Sequence, residues 1–244
     1  MRDCVVVGCG RSGTSLAAGL LARAGYDCGR ELLPADEGSP KGFFEARGVN
    51  DVNERLLAPH DPMLSRSGHS RPLRHGERWL GVLPPGVEVE VPPGLRAAMA
   101  AALPASPYCC KDPRFGYTVD AWRGVLGEPL VVCVFRHPLA TAESIARDVR
   151  YEDLRVDPAT AVEIWRAVYS RILDRHRRDA EWVFVHYEQL MDGSGVERLD
   201  ERLGATLDHG FADPALRRSC PSREPPRGCA GLYAELCAAA GYNG

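Results

Sequence analysis

Lysine is nearly missing from this chain: Lys41 and Lys111 stand against twenty-eight arginines, so a lysine at any position needs its own reason. Cys-x-x-Cys pairs are absent, although nine cysteines occur at 4, 9, 28, 109, 110, 133, 220, 229 and 237. Several lie within apolar runs, where cysteine behaves as a small hydrophobe, which predicts reduced thiols and a cytoplasmic chain rather than metal or redox chemistry. No apolar run reaches membrane-spanning length, since the longest, Leu16 to Ala24, contains Gly19 and Arg23. The start, Met1-Arg2-Asp3, leads directly into an apolar strand and has no signal-peptide pattern. Excess positive charge is also missing: the formal net charge is −3, which argues against a protein that coats nucleic acid through bulk charge. Neither internal repeats nor a low-complexity tail interrupts the sequence. What remains is an ordinary globular composition, 45% hydrophobic and 26% charged over 244 residues, expected to form one domain.

Strand and helix patterns alternate along the chain. Residues 3–8 read as a buried strand and 13–24 as a helix stopped by Gly25. Residues 29–48 form a loop rich in Gly, Pro and charge, followed by a helical pattern from Asn50 to Leu57. From about 60 to 94 the periodicity fails, which predicts an irregular insertion serving as a lid or acceptor-binding region, with Arg66, Arg71, Arg74 and Trp79 among its residues. Within it, the alternation over Val87–Val91 suggests a short exposed strand. Helices are expected at 95–103, 117–126, after Pro138 and at 159–178, with strands at 108–111, 130–135 and 182–186. Apolar strands alternating with helices imply an α/β fold, a central parallel sheet flanked by helices in three layers.

The strand at 3–8 runs into Gly8-Cys9-Gly10-Arg11-Ser12-Gly13-Thr14-Ser15, where a glycine-rich turn opens a helix. Backbone N–H groups and the helix dipole make such a turn an anion cradle. Gly8 and Gly13 have the spacing of a nucleotide-binding P-loop, but Thr14 stands where that loop carries its lysine, which counts against ATP or GTP chemistry. Positive charge has moved to Arg11, whose fork suits a two-centred anion. A second anion pocket is expected where Arg136 follows the 130–135 strand and Pro138 starts a helix carrying Ser144.

Five stretches, in order, resemble the sulfotransferase superfamily. Gly10–Leu16 resembles its 5′-phosphosulfate loop, and Val134-Phe135-Arg136-His137-Pro138 with Ser144 its 3′-phosphate motif. Cys110-Lys111-Asp112-Pro113-Arg114 is similar to the Lys-Asp-Pro-Arg segment of carbohydrate, tyrosyl-protein and bacterial members. Gly42-Phe43-Phe44-Glu45 with Asn50 and Asn53 matches a stretch of bacterial members, and His186-Tyr187-Glu188-Gln189-Leu190 resembles a Tyr-Glu-Asp-Leu segment. Together they run from residue 5 to 190 and leave 60–107 unmatched.

The resemblance implies a P-loop-like fold and a donor, 3′-phosphoadenosine 5′-phosphosulfate, bound without a metal by Gly10, Arg11, Ser12, Gly13, Thr14, Ser15, Arg136 and Ser144. Lys111 and Arg11 would stabilise charge during transfer. Glu45 is the first candidate for the general base and His60 the second, while an ordinary surface role for Glu45 stays open. Arg114 would brace its loop and His137 orient the turn after Arg136. The C-terminal Arg217-Arg218-Ser219 could reach the 3′-phosphate or simply be solvated. A small-molecule or sugar hydroxyl is the expected acceptor, and the likeness to bacterial members implies a natural-product tailoring role. The rival readings are a small-molecule or nucleotide kinase with a degenerate P-loop and a non-catalytic nucleotide-binding protein.

Overall fold

The four strands, β1 (Cys4–Val7), β2 (Cys109–Lys111), β3 (Leu130–Phe135) and β4 (Trp182–His186), are apolar except for Lys111 and His186 at the ends of two of them, and such strands must be covered on both faces. The computed structural model describes residues 1–60, 62, 64, 72–148, 153–217 and 224–244. Within them the strands form one parallel sheet in the order β2-β1-β3-β4, with Cys4 opposite both Cys109 and Leu130 and Val131 opposite Trp182. The twofold alternation of a strand divides the core in two. Val5, Val7, Cys133 and Phe135 face one side, and Cys4, Val6, Val132 and Val134 face the other.

The first side is covered by α2 (Arg47–Leu57), α3 (Leu95–Ala102), α4 (Phe115–Leu126), α5 (Pro138–Ala146), α6 (Pro158–Asp174) and, last in the chain, α9 (Arg227–Ala240). The second is covered by α1 (Thr14–Arg23) and α8 (Val196–Leu203), with Leu190 of the short α7 (Tyr187–Met191) packed beside them. Burying each strand valine contributes roughly 1.5–3 kcal/mol, so the sheet centre is the most stable part of the frame. The result is the three-layer α/β arrangement expected, with every strand pair parallel.

Local chemistry sets the ends of the helices. Pro138 and Pro158 each occupy the first helical turn, where a missing N–H costs nothing. Asp157 caps α6 by accepting from the N–H groups of Ala159 and Thr160 at 2.9 and 3.1 Å. That helix ends at Asp174, short of the expected 178, and a 3₁₀ turn over His176–Asp179 follows. There the buried His176 ring meets Asp120 at 2.5 Å and the Gly116 carbonyl at 3.2 Å, which turns the backbone away from the helix axis. Val87–Val91 is coil rather than the short strand expected; among the described residues no strand pairs with it, and its valines pack individually on the core. No helix among the described residues is long and apolar enough to cross a membrane.

Candidate functional site

A parallel sheet brings the C-terminal ends of all its strands to one edge, and a cleft of about 480 Å³ opens there. Each strand delivers something to it: β1 the loop through Gly10, Arg11 and Gly13, β2 Lys111, β3 Arg136, and β4 Tyr187. The anion loop is shaped by what its glycines leave out. Gly8 has φ +145°, and a Cβ there would sit 2.2 Å from the Val134 carbonyl oxygen. Gly13 has φ +98° at the N-cap of α1, and its Cβ would lie 2.6 Å from the Tyr187 ring. No side chain caps α1, so its first-turn N–H groups and the positive end of its dipole serve the cleft.

Arg11 holds a left-handed backbone, φ +70°, which costs a non-glycine residue roughly 1–2 kcal/mol. Its side chain is pinned in compensation: Nε donates to Ser144 Oγ at 3.2 Å and Nη2 to the Gly38 carbonyl at 2.9 Å. Residues expected in two separate pockets therefore touch, Arg11 of the first bonding Ser144 of the second. Arg136 is nearly buried, its guanidinium 4.1 Å from the centroid of the Tyr187 ring. After it, His137 Nδ1 accepts from the Leu139 N–H at 3.3 Å and caps α5, consistent with an orienting role for that imidazole.

Lys111 enters from the other side. Its ammonium donates to Ser15 Oγ at 3.1 Å and forms an ion pair with Glu45, the two side chains being 2% and 6% exposed. From Glu45 a continuous polar chain runs inward. Asn50 donates to Glu45 at 3.2 Å and to Asp112 at 2.6 Å; Asp112 accepts from Arg114 at 3.1 Å; Arg114 and Arg78 both hold Glu54, at 2.6 Å each. Three cations thus face three carboxylates, as buried charges require. Burial works against the Arg114 charge, but Asp112, Glu54 and Glu45 outweigh it and push the group up, so the guanidinium is a fixed brace. It also donates to the Gly76 carbonyl at 3.3 Å, tying residues 76–78 to the β2 end.

Of the expected site residues, Gly10, Arg11, Gly13, Thr14, Ser15, Glu45, Lys111, Arg136 and Ser144 all line the cleft. Ser12 does not: its hydroxyl is fully buried against Thr141 Oγ1 at 3.2 Å and braces the loop on α5. His60 ends the 3₁₀ turn after α2 and is outside the cleft lining. From the insertion, His75, Gly76 and Trp79 reach the cleft, Trp79 so close that a Cβ on Gly10 would be 2.5 Å from its ring. Arg74 instead pairs with Asp153 at the surface. Arg66, Arg71, Arg218, Ser219 and Cys220 lie outside the described residues; the other eight cysteines are free thiols, and burial pushes Cys9, Cys110 and Cys133 up. Arg217 bonds Glu188 at 2.9 Å.

Sequence reasoning missed the part of the wall that Phe211, Asp213 and Leu216 build beside Tyr187. Lys41 links that wall to the loop before α2, donating to the Phe211 carbonyl at 2.6 Å with its ammonium 4.8 Å from the ring centroid. The rarity of lysine was the one available signal.

A model described as Sulfotransferase family matches residues 4–208. The fold is similar to that of the sulfotransferase domain from the Synechococcus PCC 7002 olefin synthase, with a TM-score of 0.54 and 19% identity, over 99% of this chain and 94% of that one. No curated protein sequence gives a significant match.

Proposed function

The chain belongs to the sulfotransferase family, and from that premise we propose that it moves a sulfonate from 3′-phosphoadenosine 5′-phosphosulfate to a hydroxyl of a small-molecule or sugar acceptor, with a natural product among the acceptors to test. The observation that supports this donor is the pairing of two anion subsites in one cleft. The α1 N-terminus and Arg11 form one, Arg136 and Ser144 the other, and a bisphosphorylated adenosine needs both. The residues present fit such a donor also in charge, since Arg11 and Arg136 stand at the cleft while Lys111 reaches the α1 N-terminus through Ser15.

When bound, the donor supplies the sulfonate: the acceptor oxygen forms the new S–O bond, the bond to the 5′-phosphate breaks, and adenosine 3′,5′-bisphosphate leaves. The uncapped N–H groups of α1 hold the 5′-phosphate. Arg11 and Lys111 offset the charge that builds on the sulfonate and the departing oxygen. Glu45 takes the acceptor proton. Its two oxygens are engaged by Lys111 and Asn50, so a turn of Lys111 toward the sulfonate would free one of them.

Isothermal titration with adenosine 3′,5′-bisphosphate against ATP tests the donor assignment directly. Tighter binding of the bisphosphate is expected; equal or tighter ATP binding, with magnesium-dependent turnover, would replace this reading with the kinase. Transfer of labelled sulfonate to a panel of phenols, alcohols and sugars then tests the acceptor class, and binding without any transfer would leave a nucleotide-binding protein.

A further inference from the structure

Two fully buried aromatic residues on α6, Trp165 and Tyr169, stand one turn apart on the same face, their ring centroids 4.8 Å apart. Both spend their polar atoms on the backbone at strand ends that open the cleft. The Tyr169 hydroxyl accepts from the Cys9 N–H at 3.1 Å, just where β1 becomes the anion loop, and donates to the Val134 carbonyl at 2.8 Å in β3. Trp165 Nε1 donates to the carbonyl of Arg136 itself at 3.0 Å. Burial pushes the phenol well up, so it stays a hydroxyl and keeps both bonds. At the same spot Gly8 lets the loop backbone press against the Val134 carbonyl.

We infer that Tyr169 and Trp165 are positioning residues that fix the distance between the two anion subsites, and so make this cleft selective for adenosine carrying phosphates at both ends. Neither side chain lines the cleft. They act through the backbone of Cys9 and Arg136: a helix that crosses behind both strand ends sets how far the anion loop stands from the Arg136 guanidinium. A ligand with one phosphate is indifferent to that distance. A ligand with two gains from the second only when the spacing is held in advance, because otherwise part of its binding energy is spent on ordering the protein. The inference rests on the donor reading above and deepens it by naming what enforces it.

The test compares adenosine 3′,5′-bisphosphate with adenosine 5′-monophosphate by isothermal titration, in the full-length wild type, Tyr169→Phe and Trp165→Phe. Wild type should favour the bisphosphate clearly. In Tyr169→Phe, with the Cys9 N–H and Val134 carbonyl both released, bisphosphate affinity should fall about tenfold while the monophosphate changes less than about twofold. Trp165→Phe should narrow the ratio of the two affinities in the same direction. A structural role alone would lower the melting temperature and leave the ratio at its wild-type value, and that result in both variants overturns the inference. If wild type itself does not distinguish the two nucleotides, the donor reading fails instead.

Discussion

Replacing Lys111 by Met removes the ammonium that faces Glu45 and leaves a carboxylate, 6% exposed, with Asn50 as its remaining direct partner. Taking one member from a buried ion pair costs about 3–5 kcal/mol, because the other charge stays desolvated. Glu45→Gln should cost less, toward about 2–3 kcal/mol, since the amide oxygen still accepts from Lys111. The double variant, Lys111→Met with Glu45→Gln, has no stranded charge, and its loss should be no more than about 2 kcal/mol. The singles together therefore exceed the double by several kcal/mol, well beyond the tolerance for independent sites. Urea unfolding followed by circular dichroism measures all four corners of the cycle. Sulfonate transfer should be lost in both singles and stay lost in the double, which separates restored stability from restored chemistry. A double variant as unstable as the sum of the singles would refute the buried-pair reasoning.

Arg11→Ala should abolish transfer and weaken adenosine 3′,5′-bisphosphate binding together, read by titration, since Arg11 touches both subsites. Gly8→Ala should lower the melting temperature steeply, by several kcal/mol of stability, because its Cβ meets a backbone oxygen at a φ that alanine rarely adopts; an unchanged thermal melt would disprove the close approach. Lys41→Ala should alter stability by less than about 1 kcal/mol, its ion pair with Asp213 being partly exposed. Stopped-flow measurement should nevertheless show faster bisphosphate release, as Lys41 joins two segments that line the cleft. Burial, with Arg136 and His137 acting the same way, holds His186 down from 6.5 to about 3. The unfolded chain thus binds a proton between those values that the folded one refuses, so stability is level above pH 6.5 and falls as pH drops toward 3, by up to about 1.4 kcal/mol per unit. Urea midpoints across that range should fall less in His186→Asn, which keeps a capping side chain.

The strands and the anion loop were legible because their signals are local: unbroken β-branched runs, glycines at fixed spacing, a proline at the first turn of α5. Lys111 stood out through rarity, and its end-of-strand position followed from the Cys-Cys run before it. For Ser12, sequence gives the residue in a loop and not the direction its hydroxyl takes, which Thr141, far along the chain, decides. His60 was proposed from its place beside the insertion, yet the 3₁₀ turn at the end of α2 leaves it outside the cleft. Val87–Val91 shows a strand pattern without a partner, and pairing is a tertiary property. Trp165 and Tyr169 lie within the helix expected at 159–178, but their bonds to Arg136 and Cys9 depend on the sheet order and on no nearby residue.

That order, with β1 inside the sheet, also bears on how the chain acquires its structure. The first strand synthesised waits for both its neighbours, β2 beginning at Cys109 and β3 at Leu130, so no native strand pair can form until roughly half the chain exists. Long-range parallel pairing of this kind is slow, and until then Val5, Val6 and Val7 are an unpaired apolar edge. A nascent chain stopped before Leu130 would carry its anion loop attached to a strand with one side still open, and protection of that segment from proteolysis should appear only once β3 has emerged.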